Sequence, residues 1–174
     1  GAREMNYAVG RMLALEQADG FPFRHIHAVG SYGWDWMGDF VKDQGVDLAK
    51  APRIEMKEYL YNMPTVMAAV VISRAGASTL NEIAAAGTPC IIVPSPNVTN
   101  DHQEKNARAL ERGGGAEVLL EKDCTAQALY GMVTDLLKDP EKRRGMRAAL
   151  HKMAVPDSAE RICDILDRLA AGNR

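Results

Sequence analysis

The 174-residue chain lacks the residues and runs that mark several classes of protein. Its three cysteines, Cys90, Cys124 and Cys163, are widely spaced and odd in number, which argues against a disulfide framework and a zinc site. No apolar run approaches the ~18 residues needed to span a bilayer, and the polar residues at the start predict no signal peptide. We therefore expect reduced thiols in a cytosolic protein.

The chain also lacks a charge of one dominant sign. With 21 Lys and Arg residues against 23 Asp and Glu residues, its net charge is −2, which argues against a nucleic-acid partner held by bulk electrostatics. No Asp-x-Asp motif for a metal ion occurs. What remains is a globular composition, 47% hydrophobic and 25% charged, in a length that predicts a single domain over 1–174.

Strand-like and helix-like segments alternate along the chain. Alternating or continuous apolar runs predict strands within 23–30, 53–60, 70–73, 90–94 and 116–121. Helical patterns lie at 3–17, 34–43, 64–69, 78–86, 101–112, 125–137, 140–153 and 158–169. This alternation predicts a doubly wound parallel sheet covered by helices on both faces. Because such a domain normally opens with a strand, the first strand is missing from the pattern.

The stretch SRAGASTLNE, residues 73–82, follows a predicted strand, where open α/β sheets bind ligands. Gly76, Ala77 and Ser78 are small enough to let a ligand approach, and the N–H groups of a helix start attract an anion such as a diphosphate. Glu82 can then accept hydrogen bonds from two ribose hydroxyls. The alternative is a capping box made by Thr79 and Glu82, and the two interpretations are compatible.

Two further loops follow predicted strands. In the loop at 94–107, His102 and Gln103 can hydrogen-bond the hydroxyls of a sugar; the alternative is a solvated loop capped by Asn100 or Asp101. In the segment EYLYNMP at 58–64, an apolar edge that includes Leu60 and Met63 can hold a flat base, or can pack against the next helix.

Two motifs, VISRAGASTLNEIAAAGTPCIIVPSP at 71–96 and DHQEKNARAL at 101–110, resemble the C-terminal half of the MurG family. These bacterial glycosyltransferases add N-acetylglucosamine to lipid I to form lipid II in peptidoglycan synthesis. The opening GAREMN is similar to the end of the family's glycine-rich loop, EYLYNMP to its aromatic–aliphatic segment, and PDSAERICDIL at 156–166 to its closing helix. The resemblance therefore extends over almost the whole chain.

The resemblance implies a Rossmann-like domain, the donor-binding half of a two-domain GT-B enzyme, in which UDP-N-acetylglucosamine is bound without a cofactor or a metal ion. Leu60 would contact uracil, Glu82 the ribose and Gln103 the transferred sugar. The implied donor-binding residues are Leu60, Ala77, Ser78, Thr79, Leu80, Asn81, Glu82 and Gln103, with Gly1, Ala2, Met63, Gly76 and His102 as further candidates.

The family's acceptor-binding domain is absent from this sequence, together with the general base expected there. The resemblance thus implies an inverting transferase at the inner face of the cell membrane. Its contacts with lipid I and with the membrane would be made by the missing domain. The fragment alone would be inactive. Two alternatives remain open: the catalytic subunit of a split dolichol-linked N-acetylglucosaminyltransferase, and a non-catalytic nucleotide-sugar module, since fold does not fix function.

Overall fold

The structure, a computed structural model, describes residues 2–61 and 69–171. Helices and strands alternate in the order α1 (Arg3–Ala18), β1 (His25–Ala28), α2 (Ser31–Asp43), β2 (Ile54–Lys57), β3 (Val71–Ser73), α3 (Ala77–Ala86), β4 (Cys90–Ile92), α4 (His102–Arg112), β5 (Ala116–Val118), α5 (Ala126–Lys138), α6 (Pro140–Met153) and α7 (Ser158–Ala171). The predicted alternation is confirmed for the described residues. The helix predicted at 64–69 lies, except for its last residue, outside them.

Two boundaries show how local chemistry sets the elements. Helix α2 begins three residues before the predicted Trp34, because Gly30 takes a φ of 74° and its carbonyl accepts the N–H of Trp34. Helix α5 begins after Thr125, whose side chain accepts the N–H of Ala128 at 3.1 Å and so caps the helix.

All the described strands pair in parallel, as predicted, but they form two sheets instead of one. Strand β1 pairs with β2, with His25 opposite Ile54. Strand β4 lies between β3 and β5, with Cys90 opposite both Val71 and Ala116. Among the described residues, no strand connects β1 to β3 by hydrogen bonds, so the parallel strands fall into a group of two and a group of three.

Helix α1 links the two sheets through their cores. Its Leu13 belongs to a buried cluster with Val29 of the two-stranded side. Its Met12 belongs to a second cluster that includes Ile91 of β4 and Leu129 of α5. Adjacent residues of one helix thus bury side chains on both sheets, which fixes the sheets against a common layer.

Helices cover both faces of the three-stranded sheet. Ile91 points to the layer of α1 and α5, whereas Cys90 and Ile92 point to the opposite layer with Ile83 of α3 and Leu150 of α6. This alternation is the period of two expected of a strand buried on both faces. The doubly wound arrangement predicted from the sequence is confirmed here.

Helix α7 leaves an apolar face uncovered. Ile162, Ile165, Leu166 and Leu169 are each between 50% and 66% exposed. The predicted closing helix therefore exists, but it covers no core in the described structure. None of the helices in the described ranges is long and apolar enough to cross a bilayer.

Candidate functional site

The loops at the carboxyl ends of β3, β4 and β5 meet at one edge of the sheet, because the three strands are parallel. Arg74 follows β3, and Ser95 lies in the loop after β4. Glu121 begins a short 3-10 turn, Glu121–Asp123, after β5. Contacts among these loops define the site.

Gln103, near the start of α4, holds the first two loops together. Its Oε1 accepts the N–H of Ala75 at 3.2 Å and the N–H of Ser95 at 3.0 Å. Asn106, one turn further along α4, donates from Nδ2 to the carbonyl of Ala75 at 3.3 Å. Because two N–H donors fix the orientation of the Gln103 amide, its Nε2 group remains as a pure donor. A ligand group at this position must therefore be an acceptor, such as a hydroxyl oxygen.

The start of α3 has no side-chain cap. Its N-cap is Gly76, with extended φ and ψ of −66° and 138°. Thr79 is already the third residue of the helix, so the predicted capping box of Thr79 and Glu82 is wrong. The reason is that the helix already begins at Ala77, with Gly76 as its N-cap, before the chain reaches the S/T-x-x-E spacing. Among the described residues no side chain accepts the N–H groups of the first turn, which is the arrangement that binds anions at helix starts.

The two glycines that bound α3 differ in what the fold requires of them. Gly87 ends the helix with a φ of 62°, and a Cβ there would lie 2.4 Å from the ring of His151, so the backbone requires glycine. At Gly76 the φ is negative, and a Cβ would meet only Thr79 Oγ1, at 3.9 Å. The fold leaves room for a side chain at Gly76, which means that this room is available to a ligand.

The residues predicted to bind a nucleotide along α3 differ in accessibility. Ala77, Ser78, Asn81 and Glu82 are exposed, and Thr79 is half-buried. The Glu82 carboxylate makes no hydrogen bond or ion pair with any described residue, so it is free to bind a ligand. Leu80 is different: its side chain is buried in the core and its N–H donates to the carbonyl of Gly76.

Arg74 joins the ends of three strands, a feature that the sequence interpretation missed. Its Nη1 donates to the carbonyls of Val93 at 3.2 Å and Pro94 at 3.3 Å, and its Nη2 donates to Oε2 of Glu121. The Arg74 and Glu121 side chains are only 19% and 15% exposed. The signal in the sequence was a lone Arg directly after an apolar strand, but nothing local indicated its partner.

The turn before α4 is the most unusual backbone of the site. Asn100 and Asp101 have positive φ values of 55° and 51°, which non-glycine residues rarely adopt. Asp101 is the N-cap of α4 by position, yet its side chain makes no capping hydrogen bond. His102 is exposed, and its Nδ1 lies 3.0 Å from the carbonyl of Thr99. That contact places the hydrogen on Nδ1 and leaves Nε2 as an acceptor in the neutral ring.

Two of the remaining candidates, Leu60 and Ala2, lie next to the ends of other elements. Leu60 is half-buried in the segment after β2. Ala2 is the N-cap of α1. Gly1 and Met63 lie outside the described residues. No group of three His, Cys, Asp or Glu side chains suited to a metal ion occurs in the described part of the chain.

Comparison with known structures supports the fold. A crystal structure of MurG from Acinetobacter baumannii matches 97% of this chain with a TM-score of 0.78, at 23% identity and over 47% of that chain. A crystal structure of the glycotransferase of kitacinnamycin matches 94% of this chain and 38% of that one, with a TM-score of 0.65 and 20% identity. At these identities the likeness establishes the fold alone, and this chain spans less than half of each matched chain.

Curated relatives match at higher identity. A protein of Bacillus cereus named UDP-N-acetylglucosamine–N-acetylmuramyl-(pentapeptide) pyrophosphoryl-undecaprenol N-acetylglucosamine transferase 1 is 37% identical over 171 residues, which are 97% of this chain and 45% of that protein. An Acetivibrio thermocellus transferase of the same name, without the numeral, is 37% identical over 168 residues. The chain spans less than half the length of these relatives.

The family model described as glycosyltransferase family 28 C-terminal domain matches residues 1–162. That span includes Gly76, the uncapped start of α3 and the Gln103 bridge between loops. The match covers most of the chain, and the chain therefore belongs to the glycosyltransferase family 28 C-terminal domain family.

Proposed function

We propose that this chain is the donor-binding half of an enzyme that transfers N-acetylglucosamine from UDP-N-acetylglucosamine to lipid I. The observation that carries the proposal is the uncapped start of α3 beside the Gln103 side chain. An anion-binding helix start next to a hydrogen-bond donor suits a diphosphate that is linked to a sugar. The names of the relatives support the same donor and a pyrophosphoryl-undecaprenol acceptor.

In this proposal the diphosphate lies against the amides of Ala77, Ser78 and Thr79, close to Gly76. Glu82, whose carboxylate is exposed and unpaired in the described structure, accepts the ribose hydroxyls. The Nε2 group of Gln103 donates to a sugar hydroxyl, and the backbone at Leu60 meets the uracil edge. These assignments follow the family resemblance, and the accessibility of the side chains agrees with them.

The chemistry is a direct displacement at the anomeric carbon of the sugar. The acceptor hydroxyl attacks that carbon, the bond to the diphosphate breaks, and UDP leaves with the bonding electrons. The negative charge that develops on the leaving phosphate is stabilised by the helix-start amides. We further propose that a general base and the acceptor site belong to the part of the enzyme beyond this chain, which works at the inner face of the membrane.

Calorimetry of this chain with UDP, UDP-N-acetylglucosamine and ADP tests the donor role. We expect UDP and its sugar to bind weakly but more tightly than ADP, and to bind equally well with EDTA present. The variant Glu104→Gln is a control and should bind these ligands as the parent chain does. Glu104 is an acidic residue of α4 whose partner is Arg108 on the same helix. Failure to bind UDP, or a strict requirement for Mg²⁺, would contradict the proposal.

A further inference from the structure

The guanidinium of Arg74 donates its hydrogen bonds to other groups of this chain. Two of its acceptors are the carbonyls of Val93 and Pro94, in the chain that leaves β4, and the third is Glu121 in the turn after β5. Arg74 itself leaves β3. One guanidinium therefore connects the ends of three adjacent strands, and its planar fork holds the two other loops in fixed directions.

The charge of Arg74 is neutralised at the same time. Arginine beside a diphosphate normally serves as a phosphate ligand, because its fork matches phosphate oxygens. Here Glu121 takes one end of the fork, and both side chains are largely buried. Removing one partner of a buried ion pair leaves an uncompensated charge, so each side chain restrains the other.

The residues next to Arg74 and Pro94 are hydrogen-bonded to α4, so the ion pair also restrains Gln103 and the start of α3. Ala75, next to Arg74, is bound by both Gln103 and Asn106. Ser95, next to Pro94, gives its N–H to the same Gln103 oxygen. A shift of the Arg74 side chain would therefore change the distance between the start of α3 and Gln103.

We infer that Arg74 and Glu121 are a positioning pair: they set the α3 start and Gln103 at the separation that a sugar diphosphate requires, while Glu121 keeps the Arg74 guanidinium off the diphosphate. This inference rests on the proposed donor site. It gives both residues a role through other groups, with no contact of their own to the donor.

Binding of UDP-N-acetylglucosamine, UDP and uridine to Arg74→Lys and Glu121→Gln tests the pair. Lysine keeps the charge but cannot bridge three acceptors, and glutamine keeps the shape but removes the charge. We expect each variant to bind UDP-N-acetylglucosamine roughly tenfold more weakly, the equivalent of one charge-assisted hydrogen bond, with a smaller loss for UDP and with uridine binding unchanged. The double variant should bind UDP no more weakly than the weaker single variant. Glu55→Gln is the control, because it removes the same charge from the exposed pair with Arg24.

Amide exchange gives a readout that needs no ligand. In both variants the N–H groups of Ala75 and Ser95 should exchange faster than in the parent chain, whereas Glu55→Gln should leave them unchanged. If the unsubstituted chain does not bind UDP, the proposed donor function fails, but this exchange measurement still decides whether the pair holds the loops. Should Glu121→Gln not fold, Glu121→Asp keeps the charge and shortens its reach.

Three results would overturn the inference. Tighter binding of UDP by Glu121→Gln would mean that the released Arg74 is a phosphate ligand. Unchanged binding of UDP-N-acetylglucosamine in both single variants would mean that the pair does not position the site. Equal losses for UDP and uridine, with a lower melting temperature, would mean that the pair supports the fold alone.

Discussion

The carboxylate of Glu16 on α1 lies 2.7 Å from Nδ1 of His25 on β1, and both side chains are largely buried. His27, two residues along the same strand, lies with its ring centroid 6.0 Å from that of His25. Neither Oε2 of Glu16 nor Nε2 of His27 has a hydrogen-bond partner among the described residues. Three titratable side chains, those of Glu16, His25 and His27, therefore lie close together between α1 and β1.

Stability should fall with acid because of His27. Burial, and then the charge of His25, lower the pKa of His27 from 6.5 to about 3. Below pH 6.5 the unfolded chain binds a proton at this residue while the folded chain does not, so folding loses up to about 1.4 kcal/mol per pH unit down to about pH 3. Urea unfolding at pH 7.5 and 5.5 measures this slope.

The control for that slope is the variant His27→Gln, which cannot titrate. We expect its free energy of unfolding to depend less on pH than that of the parent, whereas His102→Gln, at an exposed position, should keep the parental slope. Identical slopes in all three proteins would show that His27 is not held neutral.

Glu82→Ala should weaken UDP binding by roughly ten- to hundredfold, the effect of losing charge-assisted hydrogen bonds to the ribose. Because Glu82 neither caps α3 nor pairs with a described residue, the melting temperature should not change. Calorimetry with UDP and with 2′,3′-dideoxy-UDP separates the roles: the parent should prefer UDP, and the variant should bind both alike. A variant that still discriminates the two would place the ribose elsewhere.

Gln103→Glu and Gln103→Ala should give different results. Glutamate still accepts the N–H groups of Ala75 and Ser95 but cannot donate, so the loops should stay ordered while UDP-N-acetylglucosamine binding falls more than UDP binding. Alanine removes the bridge as well, and amide exchange at both residues should accelerate. In the full-length enzyme either variant should blur the choice between N-acetylglucosamine and N-acetylgalactosamine. Full discrimination in both would exclude Gln103 from sugar contact.

The three thiols should react with maleimide in the order of their exposure. Cys163 is exposed, Cys124 is partly buried, and Cys90 is buried with a pKa raised by burial to about 12. Mass spectrometry should find Cys163 modified first and Cys90 modified only after unfolding, since the thiolate is the reactive form. Rapid labelling of Cys90 in the native chain would contradict its burial.

Local patterns predicted the elements well because local chemistry sets them. Thr125 and Asp139 cap the helices that follow them, since each side chain accepts the N–H of a residue three positions later. The S/T-x-x-E spacing at Thr79 failed because it does not decide which small residue upstream begins the helix. Spacing alone could not separate Gly76 from Thr79 as the N-cap.

Contacts between distant segments were beyond the sequence. Arg74 and Glu121 are 47 residues apart, and no periodicity relates them. The division into two sheets has the same origin, because strand pairing is decided by elements that are far apart in the chain. Of the candidate site, the sequence pointed to residues of α3 and α4 that the structure leaves accessible, such as Glu82, and to Leu80, which is buried, but it missed the ion pair that connects the strand ends.

Genetic selection should distinguish the roles of Gly76 and Gly87, the glycines at the two ends of α3. In a library at Gly87, most variants should be depleted in a screen for folded protein, because a φ of 62° strains other residues and the ring of His151 would have to move. In a library at Gly76, alanine and serine should pass that screen, yet they should be depleted when growth depends on donor transfer by the complete enzyme. The difference between the two screens at Gly76 would separate what the fold requires at this position from what the bound donor requires.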